Sequence, residues 1–339
     1  MHMPGVVACN WLLRLAVAVC CAVLPLTGWT VENALQLVGR VDLPGAQGRL
    51  DHMALDPGRQ RLFVAALGAN ALEVVDIAAQ QRTSELDGLS EPQGVAYLST
   101  LQRLFVANGR AGRVDAFDGT SRVGGVAGLP DADNLRLDSR SGNLYVGYGR
   151  GLAVLDARSL GILQRTALPG HPEAFELSER RVYVNVPGAD AVVVLDRGSG
   201  QTLATWPLPH GSMNFPMALD EADHRLFVAT RRPAGLHVFD TQTGRKVVEK
   251  PLCGDADDLF WDAQRHRLYA ICGEGKVAVL TRRSADEYEL VASIGTAPGA
   301  RTGLFEAGLE RLFVAAPARD GHGAAVLIYS TAQASPGSR

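Results

Sequence analysis

Short apolar runs alternate with clusters of Gly, Asp, Asn and Pro along nearly the whole chain after residue 35. This is a strand-and-turn pattern, and no stretch carries the 3.6-residue period of an amphipathic helix. One run recurs as Arg61-Leu-Phe-Val, Arg103-Leu-Phe-Val, Asn143-Leu-Tyr-Val, Arg181-Val-Tyr-Val, Arg225-Leu-Phe-Val, Arg267-Leu-Tyr-Ala and Arg311-Leu-Phe-Val, at steps of 42, 40, 38, 44, 42 and 44 residues. That step is the length of a four-stranded propeller blade. The pattern therefore predicts an all-β chain, a seven-bladed β-propeller over residues 35–330.

Each unit repeats one internal grammar. An apolar strand ends at an acidic turn, as in Met53-Ala-Leu-Asp56 or Met217-Ala-Leu-Asp220, and the Arg-Leu-Phe-Val strand follows. A third strand closes on a polar residue, as in Val75-Asp76 or Phe239-Asp240, before a turn such as Thr241-Gln-Thr-Gly244 leads into the fourth. The seventh unit stops after three strands, at Ser330. Its missing fourth strand is available at the other end of the chain, because Leu35-Gln-Leu-Val-Gly-Arg-Val41 matches Tyr288-Glu-Leu-Val-Ala-Ser-Ile294 of unit six. Strands from both termini would then seal the ring and remove the exposed edges of a linear stack. Residues 331–339 read as a solvated tail.

The repeated strand, with Arg181-Val-Tyr-Val-Asn185 nearest to the namesake tetrad, and the Val-Val-Asp type of third strand resemble the YVTN-repeat or YncE-like family of exported propellers. The resemblance spans residues 35–330 and implies architecture and export; it says little about activity, since propellers host unrelated functions. Some members of that family are described as binding DNA. Here net charge is −3, with no Lys/Arg stripe, so nucleic acid is not an expected partner.

In a propeller the first strand of each blade lines the channel, and the loops at one end form its mouth, the default place for a ligand. Aligning the seven first strands puts Asp51, Gln93, Asp133, Glu173, Phe215, Asp257 and Arg301 at one level. The next level holds His52, Gly94, Asn134, Ala174, Pro216, Asp258 and Thr302, and Asn214 precedes Phe215. Asp131-Ala-Asp133-Asn134 and Asp255-Ala-Asp257-Asp258 are near copies three blades apart, with His171-Pro-Glu173 between them. Loops after the second strand bring Asn108, Tyr148, Asn185, Arg231 and Glu274 to the same face. Carboxylates around one opening repel each other unless a cation or Arg compensates. A hard cation, Ca²⁺ or Mg²⁺, held by Asp133, Glu173 and Asp257 would relieve them, and His52 or His171 alongside would admit a transition metal. The bland alternative is that the acids cap turns and pair with Arg301 and the loop arginines.

The N-terminus reads as a secretion signal over residues 1–28, with Arg14 before an apolar run from Leu15 to Leu26 that is short for a membrane span. The mature chain is accordingly expected to be periplasmic or secreted, without a membrane span, and monomeric. Cleavage there leaves two of the five cysteines, Cys253 and Cys272. Spacing alone leaves open a disulfide and a pair of buried thiols.

Gly-x-Ser-x-Gly, His-Glu-x-x-His, Cys-x-x-Cys and a phosphate-binding loop with Lys are all absent. Gly147-Tyr-Gly-Arg-Gly151 follows a strand but opens no helix, so it reads as a hairpin turn. Two functions fit. The preferred one is a binding propeller that holds a small polar ligand, a cation or a protein partner at the acidic mouth. The other is a metal-dependent hydrolase or lyase of lactonase type, with His52 or His171 as general base.

Overall fold

The computed structural model describes residues 34–332 except 139 and 320, together with residues 1, 2 and 5. The rest of the expected signal segment and the tail beyond 332 lie outside the described residues. Seven four-stranded antiparallel sheets form the blades. Their innermost strands are Met53–Asp56, Pro92–Leu98, Ala132–Asp138, Phe175–Leu177, Asn214–Asp220, Ala256–Asp262 and Gly303–Glu306. Among the described residues, helix is confined to three single 3-10 turns, and no helix is long and apolar enough to cross a membrane.

The recurring strand is apolar throughout because both of its faces are covered. In blade one, Leu62 and Val64 pack toward blade seven, while Phe63 and Ala65 pack toward blade two. Each blade-to-blade interface has its own apolar cluster, and the clusters number seven. Equal numbers of blades and interfaces mean a closed circle. The outermost strands, such as Gln81–Leu86 and Ile162–Ala167, carry mostly exposed or half-buried positions.

Closure runs as the repeat requires. Blade seven is completed by Gln36–Asp42, which pairs with Ala325–Ser330 in a register that sets Val41 opposite Val326 and Arg40 opposite Leu327. Val41 and Leu43 then enter the cluster shared with blade one.

The polar letters of the repeat are also explained. Asp76, Asp156, Asp196 and Asp240, which end third strands, accept hydrogen bonds from backbone N–H groups two or three residues on, such as Thr243 N at 2.8 Å. This is Asx-turn chemistry and needs a short carboxylate. The Arg that opens several second strands reaches the next blade: Arg103 donates to Ala157 O (3.3 Å), Arg181 to Thr241 O (2.6 Å), and Arg225 to Ala285 O (3.2 Å). The repeated Arg is a staple between blades.

Candidate functional site

A cavity of about 220 Å³ opens at one end of the ring. It is lined by Arg49, Asp51 and His52 from blade one, Gln93 from blade two, Asp131 and Asp133 from blade three, and His171 and Glu173 from blade four. Phe215 and Arg231, then Asp257, then Arg301 complete it from blades five, six and seven. All seven blades contribute, which puts the cavity on the axis of the ring.

The backbone explains why these side chains turn inward. Pairing of the innermost strand with its neighbour slips between Pro92 and Val95, between Ala132 and Leu135, between Asn214 and Met217, and between Ala256 and Asp258. Gln93, Asp133, Phe215 and Asp257 sit in these bulges, which re-aim a side chain at the end of a sheet. In blades one, four and seven the strand instead begins two residues after Asp51, Glu173 and Arg301. One close approach holds the register: a Cβ on Gly94 would lie 2.2 Å from Asp133 O, so a side chain there would push directly on the segment carrying Asp133.

The arginines are already engaged. Arg231 pairs with Asp255 (3.2 Å) and Asp257, and Arg301 pairs with Asp257 (3.0 Å) and Asp255 (3.2 Å). Arg49 pairs with Asp51 and donates to Gln93 Oε1 at 3.1 Å. Arg231 also lies over the Phe215 ring, 3.8 Å from its centroid. Asp257 was expected to join Asp133 and Glu173 as a cation donor. Its carboxylate faces two guanidinium groups instead, so it stands apart from the group of donors described next.

Asp133, His171 and Glu173 each offer one donor atom, and these atoms all lie within 4.8 Å of one another. His171 Nδ1 donates to Gly149 O at 3.1 Å and lies 3.3 Å from Asp131; Nε2 lies 3.5 Å from Asp133 Oδ2. A carbonyl can only accept, so Nδ1 carries a hydrogen and Nε2 is the nitrogen turned to Asp133. Among the described residues no side-chain hydrogen bond or ion pair within 4.0 Å engages the carboxylate of Glu173.

Burial and crowding shift these groups upward. Burial raises Glu173 to about 8, helped by Asp133 and Asp257, while His171 and Arg231 pull it down. Asp257 rises to about 6, again chiefly by burial, with Arg231 and Arg301 opposing. Burial disfavours the imidazolium of His171, but Asp133, Glu173 and Asp131 outweigh it and raise the ring to about 9. For His52 burial is likewise overcome, by Asp258, Asp51 and Asp133, and its value reaches about 10. His52 sits 3.6 Å from Asp258 and 3.7 Å from Asp51.

The pH consequence has a definite sign. The two histidine pairs stabilise the fold fully below the ordinary histidine value of 6.5, and that contribution is lost as pH rises through about 9 and about 10. Ionising Glu173 costs the folded state progressively from 4.5 up to about 8. Urea unfolding should therefore give a lower stability at pH 9 than at pH 6. Glu173→Gln should flatten the fall below pH 8 and leave the part that His52 contributes above it.

Several residues expected in the site are structural. Asn108 donates to Asp115 (3.1 Å) and accepts from Ser90 N (3.0 Å). Asn185 donates to Phe215 O (3.0 Å) and accepts from Asn214, which also donates to Ala191 O (3.0 Å). Asp258 accepts from Gly303 N at 2.7 Å, and Asn134 is buried, its Oδ1 without a hydrogen-bond partner among the described residues. These residues lie behind the cavity wall and hold the loops and neighbouring blades that shape it. Arg49 was missed by the sequence reading. It precedes Asp51 by two, as Asp131 precedes Asp133 and His171 precedes Glu173, so extending the aligned strands by one period of two would have found it.

Cys253 and Cys272 form a disulfide with Cα atoms 5.9 Å apart, which ties the loop bearing Asp255 and Asp257 to the end of a buried strand. Replacing both by Ala should lower stability by about 3 kcal/mol, the value for closing a loop of this size. Urea unfolding of the variant against the oxidised protein checks it.

Neither a family model nor a curated protein matches the chain. Solved structures do. Hydrazine synthase of Kuenenia stuttgartiensis is similar over 80% of this chain and 94% of its own, at 16% identity and a TM-score of 0.68. A chain in a crystal structure of the mitotic checkpoint complex is similar over 95% of this chain and 98% of its own, at 14% identity and a TM-score of 0.74. At such identities the likeness establishes the architecture that the strand order already gives, a seven-bladed β-propeller.

Proposed function

We propose that the chain is an exported binding propeller of the YncE-like kind, which captures a divalent cation, and with it a small polar ligand, at the mouth of its channel. The observation that carries this reading is the convergence of Asp133, His171 and Glu173, within 4.8 Å, on the wall of a cavity shared by all seven blades. Two further facts support it. The bond from His171 Nδ1 to Gly149 O is the outer support that metal-binding histidines ordinarily have, and it frees Nε2 as a donor. Among the described residues no hydrogen bond or ion pair within 4.0 Å holds the Glu173 carboxylate, and a cation would supply a partner. An imidazole with two carboxylates suits Mn²⁺, Fe²⁺ or Zn²⁺ better than the all-oxygen preference of Ca²⁺ or Mg²⁺. A disulfide beside the cavity agrees with an oxidising compartment. A protein partner on the same face would fit the second similar structure, that of the mitotic checkpoint complex.

The metal-dependent hydrolase or lyase has one observation in its favour: three protein donors leave coordination positions open toward the cavity, as catalytic centres do. It lacks a base. His171 serves as a donor, and His52 keeps its proton up to about pH 10. Binding is therefore the reading adopted.

Metal analysis of protein purified without chelator, followed by unfolding in Mn²⁺, Zn²⁺, Ca²⁺ or Mg²⁺, tests it. Mn²⁺ or Zn²⁺ at a hundredfold excess over Kd should stabilise the fold by about 3 kcal/mol. Asp133→Ala should remove that gain. Equal, absent or Asp133-independent effects of all four ions would sink the proposal.

A further inference from the structure

Beyond the mouth, a second cavity of about 360 Å³ is lined by the innermost strands of six blades. Its wall is part apolar, with Met53, Val95, Leu135 and Leu259 among the lining side chains, and part polar, and His52 stands in the wall of both chambers. A cavity of this size, with apolar side chains and fixed polar groups, has the make-up of a small-molecule site.

Three carboxylates reach it, and two are engaged. Asp258 accepts from Gly303 N and pairs with His52, and Glu306 accepts from Gly308 N at 3.1 Å. The third, Glu176, has no hydrogen bond and no ion pair within 4.0 Å among the described residues. Burial pushes its pKa up, and Arg136 offsets this in part. The Arg136 guanidinium lines the same chamber but stands beyond ion-pair distance of Glu176, donating to Leu135 O at 3.1 Å and lying over the Phe175 ring. A half-buried carboxylate with no partner within 4.0 Å is stabilised when a cation is brought up against it.

We propose that this lower chamber is a ligand site separate from the mouth, shaped for a small organic cation with an apolar body and a single ammonium group held by Glu176. The volume corresponds to about twelve waters, room for a benzyl-sized body and its amine. The apolar part of the wall takes the ring, and Glu176 supplies the counter-charge that selects an amine over a neutral or anionic analogue of the same shape. The site does not depend on cation binding at the mouth.

Calorimetric titration with benzylamine, benzyl alcohol and benzoate tests it. Benzylamine should bind at least tenfold more tightly than benzyl alcohol, and benzoate should not bind. Glu176→Gln, checked for folding by its thermal melt, should erase the preference for the amine. Glu176→Asp should retain the preference, and Asp133→Ala should leave it unchanged. Failure of benzylamine to bind, equal binding of amine and alcohol, or a preference that survives Glu176→Gln would overturn the proposal. So would its loss in Asp133→Ala, which would move the amine to the mouth.

Discussion

Deleting residues 35–43 is expected to unfold the entire ring rather than fray one blade. The segment supplies the fourth strand of blade seven and buries Leu35, Val41 and Leu43, each less than 5% exposed. Burial of an aliphatic side chain of this kind contributes roughly 1.5–3 kcal/mol, so the three together contribute about 5–9 kcal/mol. That is comparable with the whole stability of an ordinary domain, about 5–15 kcal/mol. The loss is not confined to one blade, because Val41 and Leu43 belong to the cluster between blades seven and one, and breaking it opens the circle. Circular dichroism and urea unfolding should show no cooperative transition in the truncated chain. A cooperative melt within about 1 kcal/mol of the intact protein would mean that the strand is an accessory.

The second large effect concerns protons. With Glu173 raised to about 8 and His171 to about 9, both donors are largely protonated at pH 7. A metal ligand must be deprotonated, so Zn²⁺ binding should release close to two protons at that pH. Calorimetry in two buffers of different ionisation enthalpy reads that number directly. Apparent affinity should rise steeply between pH 6 and pH 9. Glu173→Gln should weaken Zn²⁺ by roughly tenfold or more and lower the release to about one proton. Release of no protons would place the ion elsewhere, on groups already charged.

The architecture was legible because a strand buried on both faces is apolar along most of its length, and seven copies of the Arg-Leu-Phe-Val type of strand leave little else to build. Much of the cavity lining was legible for a related reason. A ring brings equivalent positions of successive units to one level, so aligning Asp51, Gln93, Asp133, Glu173, Phe215, Asp257 and Arg301 located them together. Direction was not legible. Asn108, Asn185 and Asn214 occupy strand ends near the mouth, but their amides turn to backbone and side chains behind the wall. The bulges that aim Asp133 and Asp257 inward leave no signature in a single sequence. Nor could spacing decide which carboxylate an arginine would neutralise, and Arg231 and Arg301 took Asp257 rather than Glu173. The disulfide was open on spacing and is settled by a Cα separation of 5.9 Å.

The most direct test is anomalous diffraction from crystals of the mature chain soaked in Mn²⁺ or Zn²⁺ near neutral to mildly alkaline pH. One strong peak should lie between Asp133, His171 Nε2 and Glu173, while Asp257 keeps its two arginines. A cavity without a peak, or metal bound only at the exposed acids of the outer rim, would contradict the account.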